Sequence, residues 1–225
     1  FFIILSFSNE FKKILLNNWE NYQGNFFPKD RRMKILEKNK VEGMSSENIR
    51  FLINEIVKTF ANNGTYLEVG TYKGCSLLSA ALFNPSTRCI GIDNFSEFNY
   101  DNNKERLREN LNKFNLKNIE FYEGDYKKIL KKLKESEPHL KIDIYFYDGG
   151  HTYKEQTDGL RLILPFLKKR CIIIVDDLNF QEVEHANHDF IKENPDFKSL
   201  LRIKTHKNGS KSWWNGIEVL ARDIK

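Results

Sequence analysis

A chain of 225 residues with 36 basic and 31 acidic side chains, a net charge of +5, is long enough to bury one α/β core. Its surplus of positive charge is too mild and spread out for a dedicated nucleic-acid surface, and the densest basic stretch, Lys127 to Lys134, reads as the wet face of a helix. Three widely spaced cysteines, Cys75, Cys89 and Cys171, exclude a disulfide framework and zinc spacing, and no apolar run reaches the roughly 18 residues that crossing a bilayer takes. Buried thiols in a reducing, cytoplasmic setting are expected, with neither membrane nor nucleic acid as partner.

The opening run Phe1-Phe2-Ile3-Ile4-Leu5-Ser6-Phe7 reads as a strand or helix that docks on the domain or as the tail of a removed or truncated segment; the docked reading is favoured over a signal peptide, for which a preceding basic region is expected. From Glu10 to Met44 the chain is aromatic and charged without a clean period, which predicts short helices and a loop. Trp19, Tyr22, Phe26 and Phe27 in that stretch either form a lid over a substrate or dock the arm. Ser45 is the expected cap of a helix whose stripe is Ile49, Leu52, Ile53, Ile56, Val57 and Phe60, with Asn62-Asn63-Gly64 as its stop. Residues 1–44 are thus expected as an N-terminal arm and 45–225 as one domain, with no internal repeat or low-complexity linker between them.

Beyond Gly64 strands and helices alternate. Strand Tyr66–Val69 precedes a helix near Ser76–Phe83, and strand Arg88–Ile92 precedes one near Asn103–Phe114. Strand Ile119–Tyr122 leads to a helix near Tyr126–Glu135, strand Ile142–Tyr147 to one near Tyr153–Leu167, and strand Cys171–Val175 to one around Glu182–Glu193. Ser199–Thr205, the turn Lys207-Asn208-Gly209-Ser210 and Trp213–Leu220 form a hairpin signal. Five strand–helix units predict a doubly wound, mostly parallel sheet with helices on both faces, and the hairpin adds one antiparallel strand.

The chemistry gathers at the strand ends. Gly70 and Gly74 lie four apart in a strand–turn–helix passage that lets backbone approach a nucleotide-like ligand; Gly70 suits a positive φ, and a Cβ at Gly74 would hold the helix off the strand. Glu68, Asp93, Asp125, Asp148 and the pair Asp176-Asp177 sit at or next to the five strand ends, a row of carboxylates along one crevice that repel one another unless a ligand or cation uses them. Asp93, about twenty residues past the turn, fits a carboxylate that takes both ribose hydroxyls; the competing role is a helix N-cap. Asp125 fits a side chain that takes an adenine amino group, and again a cap competes. His185 and His188 lie three apart but lack a third ligand.

Glu68-Val-Gly70-Thr-Tyr72-Lys-Gly74-Cys-Ser76 resembles the first motif of the catechol-type O-methyltransferases, in which a tyrosine replaces the middle glycine, and the chain from Tyr66 to its end is similar to a class I S-adenosylmethionine-dependent methyltransferase. The resemblance implies strand order 3-2-1-4-5-7-6, S-adenosylmethionine bound by Glu68, Gly70, Tyr72, Gly74, Ser76, Asp93, Asp125 and Asp148, and Gly70 facing Asp148 across it. Tyr147-Asp148-Gly149-Gly150-His151-Thr152-Tyr153 with Cys171-Ile-Ile-Ile-Val-Asp176-Asp177 resembles the macrolide-sugar branch of the macrocin and mycinamicin type. That likeness implies Mg²⁺ on Asp148, Asp176 and Asp177, His151 as general base, and methylation of a hydroxyl on a small molecule or sugar. Neighbouring strand residues point to opposite faces, so Asp176 and Asp177 can share an ion only if the chain turns between them. The rival readings are a non-catalytic nucleotide-binding module of the same fold and a dinucleotide or nucleotide-sugar oxidoreductase; the latter lacks a third glycine near Tyr72 and a convincing Tyr-x-x-x-Lys pair.

Overall fold

The structure, a computed structural model, describes residues 2–24, 26–98 and 102–224, with side chains described from residue 7 onward. Seven strands form one sheet: β1 (Thr65–Val69), β2 (Arg88–Asp93), β3 (Ile119–Glu123), β4 (Ile142–Tyr147), β5 (Leu167–Asp176), β6 (Phe197–Ile203) and β7 (Ile217–Asp223), in the order β3-β2-β1-β4-β5-β7-β6. β1 to β5 pair in parallel, and β7 runs antiparallel to both its neighbours. The expected order and the single antiparallel strand are both present.

Strand alternation splits the core in two. Tyr66, Cys89, Ile144, Phe146, Ile172 and Ile174 pack on one side of the sheet with α1 (Phe2–Asn18), α3 (Glu47–Phe60) and α4 (Cys75–Ala81). Leu67, Ile90, Tyr145, Ile173 and Val175 pack on the other, with α6 (Tyr126–Ser136), α7 (Tyr153–Leu162) and α8 (Gln181–Glu193). The remaining helices are α2 (Lys34–Lys38) and α5 (Asn103–Phe114).

Several boundaries differ from the sequence reading. The cap of α3 is Ser46, whose hydroxyl accepts the Ile49 N–H at 3.3 Å, and Ser45 lies outside the helix. α7 stops at Leu162 because Pro165 cannot continue an α-helix; a 3₁₀ turn, Leu164–Phe166, follows and β5 starts at Leu167. β7 starts at Ile217 and not at Trp213, because residues 204–216 form a long connection closed on itself by a bridge between Ser210 and Trp214.

The N-terminal arm carries more helix than its composition suggested. Phe7, Phe11, Ile14 and Leu15 are buried at a helical spacing and belong to the same apolar cluster as the sheet. Phe1 of the opening run lies outside the described residues. The Arg170 guanidinium sits 4.6 Å over the Phe7 ring and pairs with Glu10, fastening α1 to β5.

Candidate active site

The carboxyl ends of β1 to β5 open into one groove of about 580 Å³, within the size range of small-molecule sites. Its floor is backbone. Gly70 has φ +92°, its N–H donates to Ile92 O at 3.0 Å, and a Cβ there would overlap the carbonyl of Asp148. Asp148 N–H in turn donates to Val69 O at 2.9 Å. Gly70 and Asp148 therefore touch through the direct pairing of β1 with β4, where the sequence reading has them facing each other across a ligand. Gly74 also has positive φ, +87°, but a Cβ there would meet Leu107 of α5 at 2.6 Å, so it makes room for that helix and not for its own strand.

Over the ends of β1 to β3 the groove presents Tyr72, Asp93, Phe95 and Asp125. Each oxygen of Asp93 already accepts a backbone N–H, from Tyr72 at 2.6 Å and from Phe95 at 2.7 Å, which fixes the carboxylate at the groove edge. Each retains a lone pair for a ligand hydroxyl. Asp125 caps α6, its Oδ1 accepting the Lys127 N–H at 2.7 Å, and also lines the groove, so the capping role does not take it out of the site.

Glu68 and Ser76 do not line the groove. Glu68 is fully buried beneath the turn, where it accepts from Tyr66 Oη at 2.6 Å and from Ser76 Oγ at 3.1 Å. Burial pushes its carboxyl up to about 7 against the hydrogen bonds that favour the anion. These two residues brace the turn that Gly70 and Tyr72 present.

Over β4 and β5 the groove presents Asp148, His151, Asp177, Phe180 and Trp214. Ligand atoms of Asp148, His151 and Asp177 lie within 4.8 Å of one another. Asp177 reaches this position because its backbone turns left-handed at φ +63°, the turn that strand alternation demanded. Asp176, in phase with Ile172 and Ile174, stays beneath, 3 % exposed, and accepts the Asp177 N–H at 2.9 Å. Of the expected trio, Asp148 and Asp177 belong to this cluster, whose third member is His151, while Asp176 lies buried beneath it.

The charges here oppose one another as the sequence implied. Burial, then Asp176 and Asp177, push the Asp148 carboxyl well above the usual range, and burial and Asp177 do the same to Asp176. His151 Nε2–H donates to Asp177 Oδ2, the interaction that raises the imidazole pKa, and the ring stacks on Phe180 with centroids 5.0 Å apart. This pairing leaves Nδ1 as the ring nitrogen able to take a proton. Asp177 Oδ1 accepts from Asn215 Nδ2 at 2.6 Å. The donor chemistry of the two carboxylates, Asp148 and Asp177, suits a divalent cation, which would offset their mutual repulsion.

Sequence reasoning missed Phe180, which follows β5 with no pattern of its own, and Asn215. The adjacent tryptophans divide: Trp213 is buried and Trp214 lines the groove. Met44, at the end of the arm, lines it too. His185 and His188 are exposed on α8, and neither belongs to a cluster of three metal-ligating groups among the described residues.

Residues 67–178 match a family described as a methyltransferase domain. No curated protein sequence matches the chain. Among solved structures the chain is similar to the O-methyltransferase of Bacillus cereus in complex with S-adenosylhomocysteine, at 17% identity and a TM-score of 0.66 over 87% of this chain and 92% of that one. It is similar to the O-methyltransferase TomG of Streptomyces achromogenes, involved in tomaymycin synthesis and solved with S-adenosylmethionine, at 15% identity and 0.64 over 88% and 92%. A methyltransferase of Geobacter sulfurreducens matches at 18% identity and 0.60 over 85% and 87%. At such identities the likeness is one of fold.

Proposed function

Residues 67–178 make this chain a member of the methyltransferase domain family, on the class I fold of the S-adenosylmethionine-dependent enzymes, and from that premise we propose that it methylates a hydroxyl of a small molecule or sugar, assisted by a divalent cation, Mg²⁺ by preference. The observation that carries the reading is the convergence of Asp148, His151 and Asp177 at one end of a groove whose other end presents Asp93 and Asp125. A nucleotide-binding module has no use for the first group, and a hydride-transferring enzyme has none for three cation-attracting side chains.

S-adenosylmethionine supplies a methyl group already activated on a sulfonium, so the protein's work is to align the acceptor and generate its nucleophile. Asp93 takes the ribose hydroxyls, Asp125 the adenine amino group, and Tyr72 the flank of the nucleoside. Gly70 offers a floor without a side chain, while Glu68, Gly74 and Ser76 hold that floor in shape. Asp148 and Asp177 would hold the cation, which would supply Lewis acidity toward the acceptor hydroxyl. His151 accepts the acceptor's proton at Nδ1, with Asp177 fixing the ring's tautomer and steadying the imidazolium that forms. Phe180 and Trp214 give the acceptor an apolar wall. Three buried thiols suit a reducing cytoplasm, and none of the helices described is long and apolar enough to cross a membrane.

Calorimetry with S-adenosylhomocysteine tests the cofactor, with binding expected; no heat at millimolar ligand overturns the reading. Labelled methyl transfer to a panel of sugar, phenolic and polyketide hydroxyls, with and without a chelator, tests the rest. Turnover that ignores chelation removes the cation and leaves Asp148 and Asp177 as positioning groups.

A further inference from the structure

Three consecutive residues before β7 face three different partners. Trp213 is 1 % exposed and belongs to the arm side: its Nε1–H donates to Tyr22 O at 2.7 Å, and its ring lies 5.8 Å from that of Trp19. Trp19, itself buried, stands edge-on to Phe51 of α3 at 5.3 Å and donates Nε1–H to Asn48 Oδ1 at 3.0 Å. Trp214 lines the groove, with φ +51° and reciprocal backbone hydrogen bonds to Ser210 at 3.0 Å. Asn215 gives Nδ2–H to Asp177 Oδ1 at 2.6 Å, and its own Oδ1 accepts the Gly209 N–H at 2.8 Å, so its amide orientation is fixed.

We propose that Asn215 is a positioning residue for the His151–Asp177 pair, and that the N-terminal arm sets it through Trp19 and Trp213. The inference rests on the proposed role of His151 as base. The physical argument is one of degrees of freedom. Asp177 is a single left-handed residue at the end of a strand, and its carboxylate is oriented by one donor on each oxygen, His151 on Oδ2 and Asn215 on Oδ1. Without Asn215 the carboxylate can rotate, and the imidazole loses its fixed partner. Asn215 in turn sits on a connection of thirteen residues, 204–216, between β6 and β7. A connection of that length needs anchoring, and two anchors are visible. Asn179 holds one part, accepting the Thr205 N–H at 2.9 Å and donating its own backbone N–H to Asn215 O at 2.8 Å. The buried Trp213 indole, gripped by the arm, holds the other. The arm thereby reaches a carboxylate that none of its residues touches.

The test needs neither cofactor nor acceptor, so it stands or falls apart from the methyltransferase reading. The hydrogen-bonded ring N–H proton of His151 is observed by NMR in the full chain and assigned by its loss in His151→Asn. In Asn215→Leu it should move upfield and exchange with water roughly tenfold faster, as a charge-assisted partner is loosened. Asn215→Ser, which keeps a donor, should stay nearer the wild type. Trp19→Phe, which keeps the arm's packing but removes the indole, should produce a smaller change of the same sign. The double variant with Asn215→Leu should show no more than Asn215→Leu alone, because both act through one link. The inference is overturned if the wild type lacks the resonance, if Asn215→Leu leaves it unmoved while the protein still melts cooperatively, or if the Trp19 and Asn215 effects simply add.

Discussion

Replacing Gly70 with alanine isolates the contact on which the groove floor depends, and Gly209 supplies its control. Both residues have positive φ, +92° and +70°, so each alanine bears the same left-handed cost of about 1–2 kcal/mol. Their surroundings differ: a Cβ at Gly209 meets nothing within 4 Å, whereas one at Gly70 would lie 2.5 Å from the carbonyl carbon of Asp148 and overlap its oxygen. Ordinary van der Waals contact begins at 3.4 Å, about an ångström more, so β1 and the chain after β4 must part. Overpacking of that kind adds about 1–3 kcal/mol. Gly70→Ala should therefore cost about 2–5 kcal/mol and Gly209→Ala about 1–2 kcal/mol, on the same left-handed and packing terms. At roughly 2–4 °C per kcal/mol for a chain of this size, the two melting points should stand several degrees apart. Urea unfolding of both variants measures the difference directly, and calorimetry with S-adenosylhomocysteine should show Gly70→Ala weakened and Gly209→Ala unchanged. Equal destabilisation of the two would refute the argument, since it would mean that only backbone conformation, and no contact with Asp148, matters at Gly70.

Other expectations follow from the same geometry. Asp93→Ala should weaken S-adenosylhomocysteine by roughly 10- to 100-fold, the range for losing charged hydrogen bonds, and an unchanged dissociation constant in calorimetry would remove the ribose assignment. Glu68 has a folded-state pKa near 7 against 4.5 for the ordinary side chain, so the folded chain holds this proton more tightly and stability falls as pH rises from about 4.5 through 7. The loss is at most about 3 kcal/mol, and Glu68→Gln should abolish it; parallel pH trends in urea midpoints of the two proteins would exclude Glu68 as the source. His151→Asn should lower turnover at least tenfold while leaving S-adenosylhomocysteine affinity within about twofold, and a full rate would end its role as base. Asp177→Asn should weaken Mn²⁺ binding, read by the paramagnetic signal of the free ion, far more than Asp176→Asn, which lies outside the cluster; comparable weakening by the two would restore the sequence-based ligand set.

Much of this was legible in the chain because the repeating unit is local. A short apolar strand buried on both faces, a turn and a helix can each be read from neighbours, and right-handed crossovers then bring Gly70, Asp93, Asp125 and Asp148 to one edge. The exclusion of Asp176 from the cluster was half legible: alternation said that the pair must split or turn, but the left-handed residue that decides which carboxylate reaches the groove is Asp177, held by Asn215 from 38 residues away. Pairings of that range leave no periodic trace. The same holds for the arm, whose buried stripe at Phe7, Phe11, Ile14 and Leu15 is regular but short and is followed by aromatic and charged residues without a period. Trp213 and Trp214 show the limit most plainly, since two identical adjacent residues take opposite fates once a distant segment claims one of them.

The meeting of main chain with main chain beneath the ligand has a consequence for how such a protein can diversify. A surface made of peptide groups presents little side-chain chemistry to alter, and its one sensitive point, Gly70, tolerates no larger residue, so this part of the cavity is held to one shape. Variation is left to the walls, where Met44, Phe180 and Trp214 come from three remote stretches of chain.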